Sequence, residues 1–276
     1  MNLSGLLGII AGGGSAPHHL IAACQKLAKP FYVICLEGQA DKELAKDLPH
    51  IWVPLGAGEK LKKLCVEHNI SDVVMIGRVR RPSLLEIKPD WLALKVLTKI
   101  GINSLGDDGL LHGIGKAIEE ECGVRVLGVQ DIFTDLLTPG GDLTVIKPDE
   151  DALQDIRRGI EVAQALGRLD VGQSVIVQQG MVIGVEAIEG TDALIARSIG
   201  LKREGAGGVL IKMAKPQQDD RFDLPTIGPD TISAAVKAGL RGIALQAGRS
   251  LIVERESTIA AANQANIFIA GISLDA

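Results

Sequence analysis

Three runs in the first half of the chain are apolar without the alternation of a half-exposed strand: GLLGIIA (Gly5–Ala11), FYVICL (Phe31–Leu36) and DVVMIG (Asp72–Gly77). Short runs that are apolar on both faces fit strands buried inside a parallel sheet. Stretches of helical spacing separate them, APHHLIAACQKLAK (Ala16–Lys29) and GEKLKKLCVEHN (Gly58–Asn69). Further helices are predicted over Asp90–Ile100 and Asp108–Glu121, and a strand over Val124–Gly128. Strands alternating with helices imply right-handed βαβ units and a parallel sheet.

The stretch LLTPGGDLTV breaks this rhythm, because Pro139, Gly140 and Gly141 are turn formers that add little to a core. A linker is expected over 136–146, between an N-terminal Rossmann-like α/β domain (1–135) and a C-terminal mixed α/β domain (147–276). The second domain opens with Pro148 and a cluster of acids, which suit the first turn of a helix. SVIVQQGMVIGVEA then reads as a hairpin turning at Gln179-Gly180. Beyond it, TDALIARSIG, PDTISAAVKAGL and STIAAANQAN are predicted helices, and GGVLIKM, GIALQAG, SLIVE and IFIAGI are predicted strands.

Composition narrows the function classes. Hydrophobic residues make up 46% of the 276 and mean hydropathy is +0.24, yet no run approaches the roughly 18 apolar residues of a membrane span. Aromatic residues are only 3% and the net charge is -5, so neither stacking platforms nor a basic surface for nucleic acid is expected. Cys24, Cys35, Cys65 and Cys122 lack C-x-x-C spacing and read as buried free thiols of a reducing compartment. With no Lys or Arg before Lys26, the opening stretch is not expected to be an export signal, and a cytoplasmic location follows.

Several segments carry candidate chemistry. Gly12, Gly13, Gly14 and Ser15 lie between a predicted strand and a predicted helix, where backbone N–H groups can cradle phosphate oxygens. The spacing is not that of a G-x-G-x-x-G or P-loop motif, so a purely geometric corner is the alternative. GRVRRP (Gly77–Pro82) follows another buried strand, with Arg78 nearest the ligand-binding edge and Arg80 and Arg81 beyond it; a solvated basic turn is the alternative. Asp107 and Asp108 precede a helix as N-cap candidates, or as ligands for a metal or hydroxyl. Lys212 and Lys215 end a predicted strand, and Asp219, Asp220, Arg221 and Asp223 follow in a loop between Pro216 and Pro225. Hard oxygen ligands beside cations suit a magnesium and phosphate site. Glu189 and Asp192 flank Gly190-Thr191 at a helix start, where capping accounts for one carboxylate more easily than for both.

Taken together, GIIAGGGSAP, IGRVRRP, LGDDGLL, EAIEGTDALIAR and MAKPQQDDRFDLPTIGPDT resemble, in order and across essentially the whole chain, the I-type UDP-2,3-diacylglucosamine pyrophosphatases of bacterial lipid A biosynthesis. The resemblance implies a Mg²⁺-dependent hydrolase that splits UDP-2,3-diacylglucosamine into UMP and 2,3-diacylglucosamine 1-phosphate. It also implies two α/β domains with the lipid substrate bound between them. Within RFDLP, Asp223 matches the aspartate of the motif associated with catalysis, as magnesium ligand or as the group orienting the attacking water. Departures are small: three consecutive glycines in AGGGSAP, and Gln217 where glycine is expected.

The residues and the resemblance converge on one chemistry. A pyrophosphate diester repels a nucleophile, so an enzyme must neutralise its charge and hold a water in line. Asp223, with Asp219 or Asp192, is the expected metal set, and Lys215 and Arg221 are the expected catalytic cations. Gly12, Gly13, Gly14, Ser15, Arg78, Asp107, Gly190, Thr191 and Lys212 are the expected substrate contacts. A homodimer and transient contact with the inner-membrane surface are expected, and a nucleic-acid partner is not. The rival readings are a nicotinamide-dependent oxidoreductase, weakened by the missing fingerprint, and a carrier that binds a nucleotide-sugar or lipid without consuming it.

Overall fold

The computed structural model describes residues 5–80, 88–100, 107–222 and 224–274, with Asp107 and Asp108 described through their backbone alone. The chain divides into two compact units, residues 1–134 with 219–223, and residues 135–218 with 224–276.

The first unit runs β1 (Leu6–Ala11), α1 (Ala16–Lys26), β2 (Phe31–Leu36), β3 (His50–Val53), α2 (Gly58–Glu67), β4 (Ile70–Ile76), α3 (Trp91–Ile100), α4 (Asp107–Cys122), β5 (Arg125–Leu127) and α5 (Val129–Ile132). Its sheet has the order β3-β2-β1-β4-β5 with every pair parallel. The apolar runs are strands because helices leave no face of them to water: Leu7, Ile9, Val33 and Val74 are fully buried. On one face Ile10, Ile34 and Val73 pack with Leu64 and Cys65 of α2 and Ile118 of α4. Each such side chain contributes roughly 1.5–3 kcal/mol on burial. Asp72, buried within β4, is paired with Arg125 of β5 at 2.7 Å, which compensates the charge taken out of water.

The second unit runs β6 (Gly141–Asp142), α6 (Glu150–Arg168), β7 (Ser174–Gln178), β8 (Met181–Val185), α7 (Thr191–Ser198), β9 (Val209–Lys212), β10 (Thr226–Ile227), α8 (Pro229–Ala238), β11 (Gly242–Gln246), β12 (Leu251–Ile252), α9 (Arg255–Gln264) and β13 (Phe268–Ile272). The main sheet has the order β6-β13-β11-β9-β7-β8. β13, β11 and β9 are parallel, and β6, β7 and β8 join antiparallel. Alternate residues separate the two cores. Val175, Val209, Ile211, Ala244 and Phe268 pack against Ala152, Ile156 and Ala163 of α6. Ile176, Leu210, Ile243 and Ile269 pack with Leu194, Ile232, Ala235 and Ala262 of α7, α8 and α9. The unit is thus an α/β/α sandwich, and the whole is the expected α/β class, a parallel N-terminal sheet followed by a mixed one.

Two features depart from the sequence reading, and a third lay beyond it. The segment expected as a linker is folded into the second unit: Thr138 is 1% exposed, bonded to Ser250 at 2.8 Å, and Gly141 and Asp142 pair with β13. The 219–223 segment, expected with the C-terminal domain, groups with the first unit. β12, the strand predicted over SLIVE, pairs in parallel with β10 as a separate ribbon, a partner the sequence did not indicate. Among the described residues no helix is long and apolar enough to cross a membrane. All four cysteines are free, and burial pushes the Cys24 and Cys35 thiols up to about 11.

Candidate active site

In the first unit the strand order reverses between β1 and β4, and the carboxyl ends of those strands are where ligands settle in open α/β sheets. The Gly12–Ser15 turn follows β1 there, and Arg78 follows β4. Backbone pairing brings the two together: Gly13 N donates to Arg78 O and Arg78 N to Gly13 O, both at 2.8 Å. Gly12 N donates to Ile76 O, also at 2.8 Å. A Cβ on Gly12 would lie 2.5 Å from Arg78 O, and one on Gly13 2.7 Å from Gln39 O. The first two glycines are therefore demanded by close backbone approach, and their N–H groups are spent on the sheet edge. This corrects the expectation that all three glycine amides cradle phosphate. Gly14, with φ +89°, and Ser15, the N-cap of α1, whose side chain makes no capping bond, are the members of the turn left as candidates for that role.

The Asp219–Phe222 stretch belongs to the same unit and is tied to α4. The Asp219 carboxylate accepts from Arg221 Nη2 at 2.8 Å and Nε at 3.0 Å, and lies 2.9 Å from His112 Nδ1. Arg221 also reaches Glu119 Oε1 at 3.1 Å, Gln130 donates to Asp220 O at 2.9 Å, and Phe222 packs on the core beside Ile118. Hydrogen bonding from Arg221, then His112, holds the Asp219 carboxyl well below the usual carboxylate range against the opposing effect of burial. Asp219 in turn raises Arg221. The sequence assigned Asp219 to a metal and Arg221 to phosphate; here the two bind each other and brace the loop. Asp223, the next residue but one after Arg221, lies outside the described residues. So does Arg81, and so does the side chain of Asp107, whose backbone opens α4.

In the second unit the candidates converge at the carboxyl end of β9. Lys212 ends that strand opposite Ser174 of β7 and is 7% exposed. Its Nζ donates to Thr191 Oγ1 at 2.9 Å, and Thr191, first residue of α7, donates to Glu186 Oε1 at 2.7 Å. Ser174 Oγ lies 3.3 Å from the same hydroxyl, and Gln173 N donates to Glu186 Oε2 at 3.3 Å. Gly190, N-cap of α7 with φ +80°, sets up this helix start, and Asp192 follows Thr191 on its exposed side. Glu189 turns away to Arg197 at 3.1 Å and accepts from Ala187 N, so it does not cap the helix. Three residues past Lys212, Lys215 Nζ donates to Asp170 Oδ1 at 2.5 Å. Asp170 follows α6 in the left-handed region, φ 54°, which Asp tolerates better than most residues. Gln218 Oε1 accepts from Lys215 N at 3.0 Å and Gln246 Oε1 from Ala214 N at 3.0 Å, fixing the backbone between and after the lysines.

Sequence reading found Gly190, Thr191, Lys212 and Lys215, and the fold brings the first three together. It missed both carboxylates that serve the lysines. Glu186 extends the β8 run GVEA, and an acid flanked by apolar neighbours at a strand end is the signal that could have found it. Asp170 carried no signal beyond the end of a helical pattern. Among the described residues no three His, Cys, Asp or Glu side chains gather as a metal cage. Mg²⁺ does not require one, since it commonly takes one or two carboxylates and completes its shell with water and substrate phosphates. Asp192, exposed and next in sequence to the Thr191 that Lys212 meets, is compatible with that sparse kind of site.

Comparison with known proteins agrees along the chain. A family model described as the LpxI N-terminal domain matches residues 6–136, and one described as the LpxI C-terminal domain matches residues 139–270. The UDP-2,3-diacylglucosamine pyrophosphatase LpxI of Caulobacter vibrioides is 38% identical over 273 residues, covering 96% of this chain and 97% of that protein.

Proposed function

This chain belongs to the LpxI family, and from that premise we propose that it hydrolyses the pyrophosphate bond of UDP-2,3-diacylglucosamine to UMP and 2,3-diacylglucosamine 1-phosphate. The observation that carries the reading is the pair of buried lysines at the end of β9, Lys215 bonded to the Asp170 carboxylate and Lys212 to a threonine that Glu186 holds, in a chain whose relative bears that activity in its name. Burying a cation is costly unless it is paired, and two such cations three residues apart suit a doubly phosphorylated linkage.

In this reading Lys212 and Lys215 hold the phosphate oxygens and take up charge as the anhydride breaks. Gly14, Ser15 and Arg78 bind a polar part of the substrate at the carboxyl edge of the first sheet. Asp223 would serve as a Mg²⁺ ligand or as the group that orients the attacking water, the ion when bound supplying a Lewis acid for the phosphoryl oxygens. Asp219 and Arg221 position the loop that leads to Asp223 rather than meeting substrate. Contact with the membrane surface that holds the acyl chains is part of the proposal.

The test is release of UMP from the lipid substrate by purified protein, with Mg²⁺ and with excess chelator. Release that chelator stops, and a loss of about 10³-fold in kcat for Asp223→Ala with unchanged melting temperature, supports the assignment. Tight binding without release under either condition would replace it with the carrier reading.

A further inference from the structure

We propose that Glu186 is a positioning residue for the reaction, setting the Lys212 ammonium through the hydroxyl of Thr191. This rests on the reading that Lys212 meets the substrate's phosphates. A threonine hydroxyl has one proton and two lone pairs, an ammonium has only protons, and a carboxylate has only lone pairs. With Lys212 Nζ at 2.9 Å and Glu186 Oε1 at 2.7 Å, the Thr191 proton goes to Glu186, leaving the oxygen as an acceptor for Lys212. The second lone pair faces Ser174 Oγ at 3.3 Å, so Ser174 is the donor in that contact. Every hydroxyl in the chain of contacts has one orientation.

The arrangement is protected from water. Lys212, Thr191, Glu186 and Ser174 are 7%, 5%, 6% and 0% exposed. At this depth a polar network is strong when complete and costly when broken. Glu186 is itself fixed at both ends, its N–H bonded to Ser174 O at 2.8 Å and its Oε2 accepting from Gln173 N. Gly172 lets the preceding loop press against it, since a Cβ there would lie 2.1 Å from Glu186 O. The same contacts place the ammonium at the N-terminus of α7, where helix dipole and cation add toward an anion. A displaced Lys212 would cost more in the transition state, where charge builds on oxygen, than in the bound substrate.

The full chain is assayed for kcat, KM and melting temperature as wild type, Glu186→Gln, Thr191→Val, Thr191→Ser and Lys212→Ala. Positioning predicts that Glu186→Gln and Thr191→Val each lose about tenfold or more in kcat with KM within about threefold of wild type. Thr191→Ser, which keeps the hydroxyl, retains several times the kcat of Thr191→Val. A purely structural role predicts lowered melting temperatures with wild-type kcat per folded molecule, or equal losses in the two Thr191 variants; either result overturns the proposal. Lys212→Ala separates the layers: loss of kcat there alongside wild-type kcat in Glu186→Gln removes only the positioning role. Wild-type kcat in Lys212→Ala removes the lysine's assignment and the positioning role with it.

Discussion

The end of β1 and the end of β9 both lie at carboxyl edges of parallel strands, yet they are built from opposite materials. After β1 the chain offers glycine backbone, and most of it is consumed locally: Gly12 and Gly13 give their N–H groups to Ile76 and Arg78 and tolerate no Cβ. After β9 it offers side-chain cations, Lys212 and Lys215, both buried, the first bonded to Thr191 and through it to Glu186, the second to Asp170 directly. A glycine corner is fully accounted for by sheet geometry. A buried lysine is not, because an apolar residue of similar volume would often be as stable or more so. This contrast is why the proposed function assigns the chemistry to β9 and only a supporting contact to β1.

The largest effect that would break this contrast is in turnover. Lys215→Ala is expected to lower kcat/KM by about 10²-fold, near 2.7 kcal/mol in transition-state stabilisation, and Arg78→Ala by only about fivefold. Similar losses in steady-state assays of the two variants would erase the distinction. Stability should invert the order. Gly12→Ala forces a methyl against a backbone oxygen and is expected to cost about 1–3 kcal/mol in chemical denaturation. An unchanged midpoint would show that the corner is not sterically determined.

Asp219 sharpens the comparison on a pH axis. Its folded pKa is depressed by Arg221 and His112, so its contribution to stability is present above the unfolded value, near 3.9, and is lost as pH falls toward the folded one. Asp219→Asn should therefore destabilise by roughly 1 kcal/mol at pH 7. The gap from wild type should narrow progressively below about pH 4. A gap constant from pH 7 to pH 3 in urea titrations would mean that the carboxylate's charge is not what holds the loop. The smallest effect belongs to Ser15→Ala, which loses no capping bond. It should leave stability within about 0.5 kcal/mol and raise KM about two- to fivefold. No change in KM would remove Ser15 from the substrate contacts.

Much of the architecture was legible because burial on both faces leaves a mark in sequence. FYVICL became β2 with the same bounds, and the hairpin turned at Gln179-Gly180 as read. The short strands were not legible. HIWV of β3 and Gly141–Asp142 of β6 are edge strands whose pairing depends on neighbours, not on their own pattern. The site divided in the same way. Lys212 and Thr191 were visible as polar residues at element ends, while Glu186 was marked only by its apolar neighbours and Asp170 looked like any surface acid. Asp219 and Arg221 looked like ligands until their mutual bond was seen.

By itself the sequence determined the α/β class, the alternation of elements and the residue types that can meet a phosphate, since these follow from local periodicity and side-chain chemistry. Only the tertiary structure decided which charges are spent on each other, which glycine amides are consumed by the sheet, and which carboxylate serves which lysine. Those are pairings between segments such as Asp170 and Lys215, 45 residues apart in the chain. Their energies depend on distance and burial, and neither is written in any single stretch of sequence.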